Sequence, residues 1–225
     1  MGIMCSLLAL SGKQIAAFRG SPGLASDLAE ISAIDGPTRQ LQARLRQLPP
    51  ELQRRLEQAQ KQLGEAQAGF LAKDPESQAM MARLDESRPA IERLGPFEDV
   101  LDLEKNWHVL HFLLTGHADA SSAPGDALLT GVPIGRDLGY GPARLHEAAE
   151  TRAFRDFLAP MNADRLAGRL DFPQLKQAGI YPISEVPDAA NAQAWRDDIA
   201  SVFPRLKTYV ETAANKNEGL LVWMY

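Results

Sequence analysis

The apolar positions of this chain fall into two regimes. Residues 3–10, "IMCSLLAL", and 220–225, "LLVWMY", are almost continuously apolar. A short unbroken run of strand-forming residues reads as a strand buried on both faces. The two runs are therefore expected to pair in the middle of one sheet. Between them, apolar positions recur every three or four residues, the helical spacing. Ser11 or Gly12 opens a short helix over Lys13–Phe18, and Pro22 opens another, reaching about Ile31. Asp35-Gly36-Pro37 reads as a stop. Further on, helices are predicted over 103–115, 148–158 and 192–215, the last kinked near Pro204, with one or two short helices between Asn162 and Ala178. Two short extended pieces, around "ALLTGVPIG" and "GPARLHE", lie between the first two of these helices.

Residues 38–94 have a different character. Leu41, Leu45, Leu48, Leu52, Leu56, Ala59, Leu63, Ala66 and Phe70 form one stripe on a Gln-, Arg- and Glu-rich helix, interrupted by Pro49-Pro50. "KDPES" closes that stretch, with Asp74 as N-cap and Pro75 as first residue of another helix. The segment is predicted to be a helical-hairpin insertion, 38–94, within a single domain spanning 1–225. Its heptads are not sustained, so packing on its own domain is favoured over a partner-binding coiled coil. The fold class expected is α+β: a small mixed or antiparallel sheet including the N- and C-terminal strands, wrapped by helices.

Charge and cysteine narrow the function. The net charge is −5, with 29 acidic against 24 basic residues. That balance gives no electrostatic reason to bind nucleic acid or an anionic membrane, and suits a basic protein partner. One cysteine, Cys5, makes an intramolecular disulfide or a multi-cysteine zinc site unattainable, and a reducing cytoplasm is the expected location. No apolar run reaches the ~18 residues of a membrane span. Gly2 with Ser6 fits a loose myristoylation pattern, but a buried strand accounts for this stretch better.

The richest chemistry sits in "EKNWHVLHFLLTG", 104–116. On a helical wheel, Trp107, Leu110 and Leu114 make a packing face. Glu104, His108, His111 and Thr115 fall within roughly 60° of one another on a separate stripe. A buried helix must satisfy such a stripe internally or use it to line a pocket. A metal there needs a third ligand, such as His117 or His146, and the HExxH pattern is absent. For acid–base catalysis a nucleophile motif is missing. No catalytic residue, metal or cofactor is therefore expected. "GRDLGYGPAR" at 135–144 reads as a tight turn with positive-φ glycines, displaying Tyr140 and Arg144. Tyr181, in "GIYP", suits a core edge or pocket wall. The candidate pocket is thus Glu104, His108, His111, Thr115, Tyr140, Arg144 and Tyr181.

"MGIM" running into a strand, "LDLEKNWHVLHFLLTG", "DLGYGPARLH", "AGIYP" and the closing "GLLVWMY" together resemble the bacterial YfbM-like family of unknown function. The family block falls on Leu101, Asp102, Glu104, Lys105, Trp107, Leu110, His111, Phe112, Leu114, Thr115 and Gly116. The shorter members lack the 38–94 segment. The resemblance implies an α+β fold and brings no reaction, cofactor or catalytic residue with it. Small acidic cytosolic proteins of this kind resemble immunity partners of bacterial toxins. The function expected is a non-enzymatic protein-binding module, an immunity protein neutralising a toxin. The alternative is a small-molecule-binding protein or enzyme with its site on the Glu104/His108/His111/Thr115 stripe.

Overall fold

The computed structural model describes residues 2–45, 74–121 and 125–225. They divide into two compact units: Met1–Ser26 with Pro96–Tyr225, and Asp27–Gly95.

The larger unit is built on a five-stranded antiparallel sheet. Strands β1 (Cys5–Leu10), β2 (Leu101–Asp102), β3 (Val132–Asp137), β4 (Pro142–His146) and β5 (Gly219–Met224) lie in the order β2-β1-β5-β4-β3. The two apolar ends of the chain are neighbours, in register from Cys5 opposite Met224 to Leu10 opposite Gly219. Every residue of both strands is buried. Side chains alternate across a strand, so such a strand needs cover on both sides. Cys5, Leu7, Ala9, Leu220, Val222 and Met224 belong to the main apolar core. The other face carries Leu8, Leu10, Leu221 and Trp223, also buried.

Helices supply the cover. The first, α1 (Gly12–Gly20), starts at Ser11 with a capping box: the Gln14 N–H donates to the Ser11 hydroxyl, and the Ser11 N–H donates to the Gln14 side chain. The core face is covered by Val109, Leu110, Leu113 and Leu114 of α4 (Trp107–Thr115), Phe154 and Leu158 of α5 (Ala148–Leu158), and Phe203, Leu206 and Val210 of α8 (Ala189–Asn215). Two short helices, α6 (Ala163–Ala167) and α7 (Phe172–Gln177), complete that layer, each N-capped by a side chain, Asn162 and Asp171. The α+β reading and the pairing of the end strands are as expected. The 138–141 turn also has the expected form: Gly139 and Gly141 take φ of 102° and 93°, and both N–H groups donate to Asp137 Oδ1.

Two local expectations are corrected. The second helix, α2 (Gly23–Leu45), runs through Asp35-Gly36-Pro37 instead of stopping there. Proline removes one donor and crowds one turn, a local cost that the flanking turns outweigh here. The helix expected over 103–115 is α-helical only from Trp107: residues 104–106 form a 3-10 turn before α4, and 101–102 form the edge strand β2. The 41–70 stripe and its Pro49-Pro50 break lie outside the residues whose side chains are described.

The smaller unit contains α2 from Asp27 onward and α3 (Pro75–Glu92), which starts at Asp74 and Pro75 as expected. One polar knot links the two helices. Buried Asp27 accepts from Arg83 Nε at 3.2 Å and from the Ser87 hydroxyl at 2.5 Å, and Arg83 also reaches Glu30.

Gly219 tests the central pairing. A Cβ there would lie 2.2 Å from the His146 carbonyl oxygen and 2.7 Å from Ile15. Gly219→Ala is expected to cost about 1–3 kcal/mol of stability, read from the urea midpoint. Gly12→Ala, whose Cβ meets nothing within 4 Å, serves as the neutral control.

Candidate functional site

The stripe on α4 is set by the helix that carries it. Trp107, Val109, Leu110, Leu113 and Leu114 are all buried, which turns His108, His111 and Thr115 toward residues 117–119, Asp126 and Tyr181. Trp107 fixes the start of the helix: its Nε1–H donates to the Ile3 carbonyl at 3.1 Å, and its ring stacks on His108 at 4.7 Å.

His108 is half-buried and bonded at both ring nitrogens. The Tyr181 N–H donates to Nδ1 at 3.0 Å, and Nε2 lies 2.8 Å from the Ala118 carbonyl. Nδ1 is therefore the acceptor, and the ring carries its proton on Nε2. His111 is fully buried. Its Nε2 faces the Asp119 carbonyl at 3.2 Å, and its Nδ1 faces Asp126 Oδ1 at 3.2 Å. Both neighbours are acceptors, so either the ring holds two protons or one contact is made without a proton on the ring. These two facing atoms have no hydrogen bond to any other group among the described residues. The second oxygen of Asp126 accepts the Ser121 N–H, and the Asp126 carbonyl accepts from Thr130 Oγ1 at 2.6 Å and Thr130 N–H at 3.0 Å. Thr115 donates to the His111 carbonyl at 2.8 Å and accepts the His117 N–H at 3.1 Å.

Of the candidate residues, the structure brings His108, His111, Thr115 and Tyr181 together. Glu104 is separate: it is exposed, with φ of 51°, in the 3-10 turn, and its N–H donates to Asp102 Oδ1 at 2.7 Å. A 3-10 turn advances the chain by fewer residues per revolution than an α-helix, so Glu104 leaves the wheel that the sequence placed it on. Tyr140 stands exposed at the hairpin tip, and Arg144 sits half-buried on β4 opposite Val222. Among the described residues, no three His, Cys, Asp or Glu side chains are grouped to hold a metal ion. None of the described helices is long and apolar enough to cross a membrane. Cys5 is fully buried, and burial pushes its thiol far above the ordinary range, so it is unreactive.

A second feature has no counterpart in the sequence reading. A cavity of about 490 Å³ opens between β1, the 98–99 segment and the second half of α8. Its origin is the shortness of β2, which pairs only with Ser6 and Leu7. The Cys5 carbonyl accepts the Leu103 N–H, so alternate residues Leu7 and Ala9 turn their main-chain groups to the same edge. At Ala9 no strand is left on that edge, and the Ala9 N–H donates to the Tyr209 hydroxyl at 2.8 Å. Ala9, Tyr209, Pro204 and Ala213 give the cavity its apolar wall, and Glu98, Asp99 and Glu218 line it with carboxylates. The cavity joins three segments far apart in sequence, and only the packing of α8 beside the sheet edge brings them together.

Residues 1–223 match the family described as a domain of unknown function (DUF1877). Among solved structures, the chain is similar to a protein of unknown function, YfbM, from Escherichia coli. Identity is 19%, the TM-score is 0.45, and the match covers 67% of this chain and 93% of that one. No curated protein matches. The family expected from the sequence motifs is thus the one found.

The buried imidazoles predict a pH dependence. Burial holds His111 below the ordinary value of 6.5, against the upward pull of Asp126, and holds His146 below it, against Glu150. As pH falls below 6.5, the unfolded chain takes up protons at these rings that the folded chain refuses. This contribution to stability is complete above 6.5 and is lost as pH falls toward the lower folded-state values. The melting temperature is expected to fall from neutral to mildly acidic pH. The fall should be shallower in His111→Gln and in His146→Gln; slopes equal to the parent's would assign it to other groups.

Proposed function

We propose that this chain, which belongs to the DUF1877 family, is a non-enzymatic protein-binding module, and more narrowly a cytoplasmic immunity protein that occludes a bacterial toxin. One observation carries the first part. Both nitrogens of His108 are hydrogen-bonded to the main chain, and both of His111 face buried acceptors on neighbouring segments of the same chain. Residues spent in this way tie loops to a helix; they do not wait for a substrate. The net charge of −5 suits a basic partner. The largely exposed face of α3 adds further surface that a partner can cover.

The rival reading, a small-molecule or catalytic site on the stripe, draws on one feature. The buried His111–Asp126 pair is an imidazole and a carboxylate 3.2 Å apart, an arrangement usable in general acid–base chemistry. Against it stands the complete burial of both side chains.

Co-expression with the product of the adjacent gene tests the immunity reading. The neighbour is expected to arrest growth alone, to be tolerated with this chain present, and to co-purify with it. A neighbour that is harmless alone and does not co-purify removes the immunity assignment.

A further inference from the structure

We infer that residues 98–100 form a strap that closes the cavity by lengthening β2, and that the Tyr209 hydroxyl is the group that holds it open. The inference does not depend on the protein-binding reading above.

The strand register carries it. β2 pairs with β1 at Asp102–Ser6 and Leu101–Leu7, and the Leu103 N–H keeps the same register by donating to the Cys5 carbonyl. Carried on in the other direction, that register sets Val100 opposite Leu8 and Asp99 opposite Ala9. Alternate pairs of an antiparallel ladder exchange two main-chain bonds, and Ala9 with Asp99 is the next such pair after Leu7 with Leu101. Neither bond is made. The Ala9 N–H goes to the Tyr209 hydroxyl instead, so the phenol stands where the Asp99 carbonyl belongs. Ala9, Asp99 and Tyr209 line the same cavity. The opposite edge of the sheet gives a contrast. There the Ser26 hydroxyl accepts the Arg136 N–H at 2.8 Å and donates to the Arg136 carbonyl at 3.5 Å, serving both main-chain groups of one residue. At Ala9 the phenol serves the N–H alone, and the carbonyl is left facing the edge.

Little has to move. The strap is fixed on one side by β2 and on the other by α1, where Gln14 Nε2 donates to the Pro96 carbonyl at 3.2 Å and the Phe97 ring stacks on Phe18 at 6.3 Å. Between these points its one recorded hold is the ion pair of Glu98 with Lys216, at the C-terminal cap of α8. Both partners are exposed, so this hold is weak. Closing exchanges one main-chain bond at Ala9 for two. The released phenol keeps its proton and can donate it to a carboxylate on the cavity wall or to water. Any group that enters the cavity binds the open form alone, so occupancy and a longer β2 exclude each other.

The test is amide hydrogen exchange, read by NMR on the isotope-labelled full chain. In the parent, Ala9 should be protected and Asp99 should exchange freely. Tyr209→Phe keeps the ring and deletes the competing oxygen. In that variant Asp99 should exchange at least about tenfold more slowly, Ala9 should stay protected, and the amide protons of the two residues should show a cross-strand contact. Exchange at Leu221 and Val222, in the middle of the sheet, serves as the control for an intact fold. Lys216→Gln, on the exposed helix end, should slow exchange at Asp99 in the same direction and by less. Rapid exchange at Ala9 with Asp99 unchanged in Tyr209→Phe overturns the proposal and makes the phenol a fixed plug. Ala9 protected without any change at Asp99 also overturns it, because water has then taken the phenol's place. If Tyr209→Phe does not fold, an unchanged Asp99 amide in Lys216→Gln overturns it.

Discussion

The pairing of β1 with β5 is the constraint from which the rest of the larger unit follows. Neither strand has a polar face, so neither tolerates water on either side. One layer must be supplied by helices from the middle and end of the chain, and this is where α4, α5 and α8 pack. Close approach of β4 to β5 requires a residue without a side chain at Gly219, because the His146 carbonyl occupies that space. The sheet reaches its edge at β2 after only two residues, and the shortfall opens the cavity that Tyr209 partly closes.

The histidines belong to the same logic one layer out. A helix buried as deeply as α4 is held in rotation by its apolar contacts but needs polar anchors for the loops that cross it. His108 binds the main chain at Tyr181 and Ala118, and His111 faces Asp119 and Asp126. The loops on both sides are thereby attached to one helix turn. The contacts to the Ala118, Asp119 and Tyr181 main chain are insensitive to which side chains those positions carry, whereas the contact to Asp126 needs its carboxylate.

Much of this was legible in the sequence, for identifiable reasons. An apolar run with no polar alternation has few structural uses, so the end strands could be read and paired directly. Periodicity placed α4, α5 and α8, and the caps at Ser11 and Asp74 followed from side chains that accept only locally available N–H groups. The errors fall where local pattern underdetermines geometry. Pro37 looked like a stop because its cost is local, while the support for α2 comes from turns on either side. Glu104 looked like part of the His stripe because a wheel assumes one helical pitch, and the 3-10 turn breaks it. The cavity was invisible for another reason: Ala9, Asp99 and Glu218 carry no shared local signal, and only the tertiary fold brings them together.

Pairing the two apolar strands has a cost in time as well as in topology. Ala9 meets Leu220, more than two hundred positions later in the chain. At ordinary rates of synthesis, β1 leaves the ribosome roughly ten to forty seconds before its partner exists. Throughout that interval a strand destined to be wholly buried has no native neighbour along its β5 edge. The larger unit cannot complete its sheet until β5 is made, and until then it exposes an apolar edge of the kind that chaperones shield.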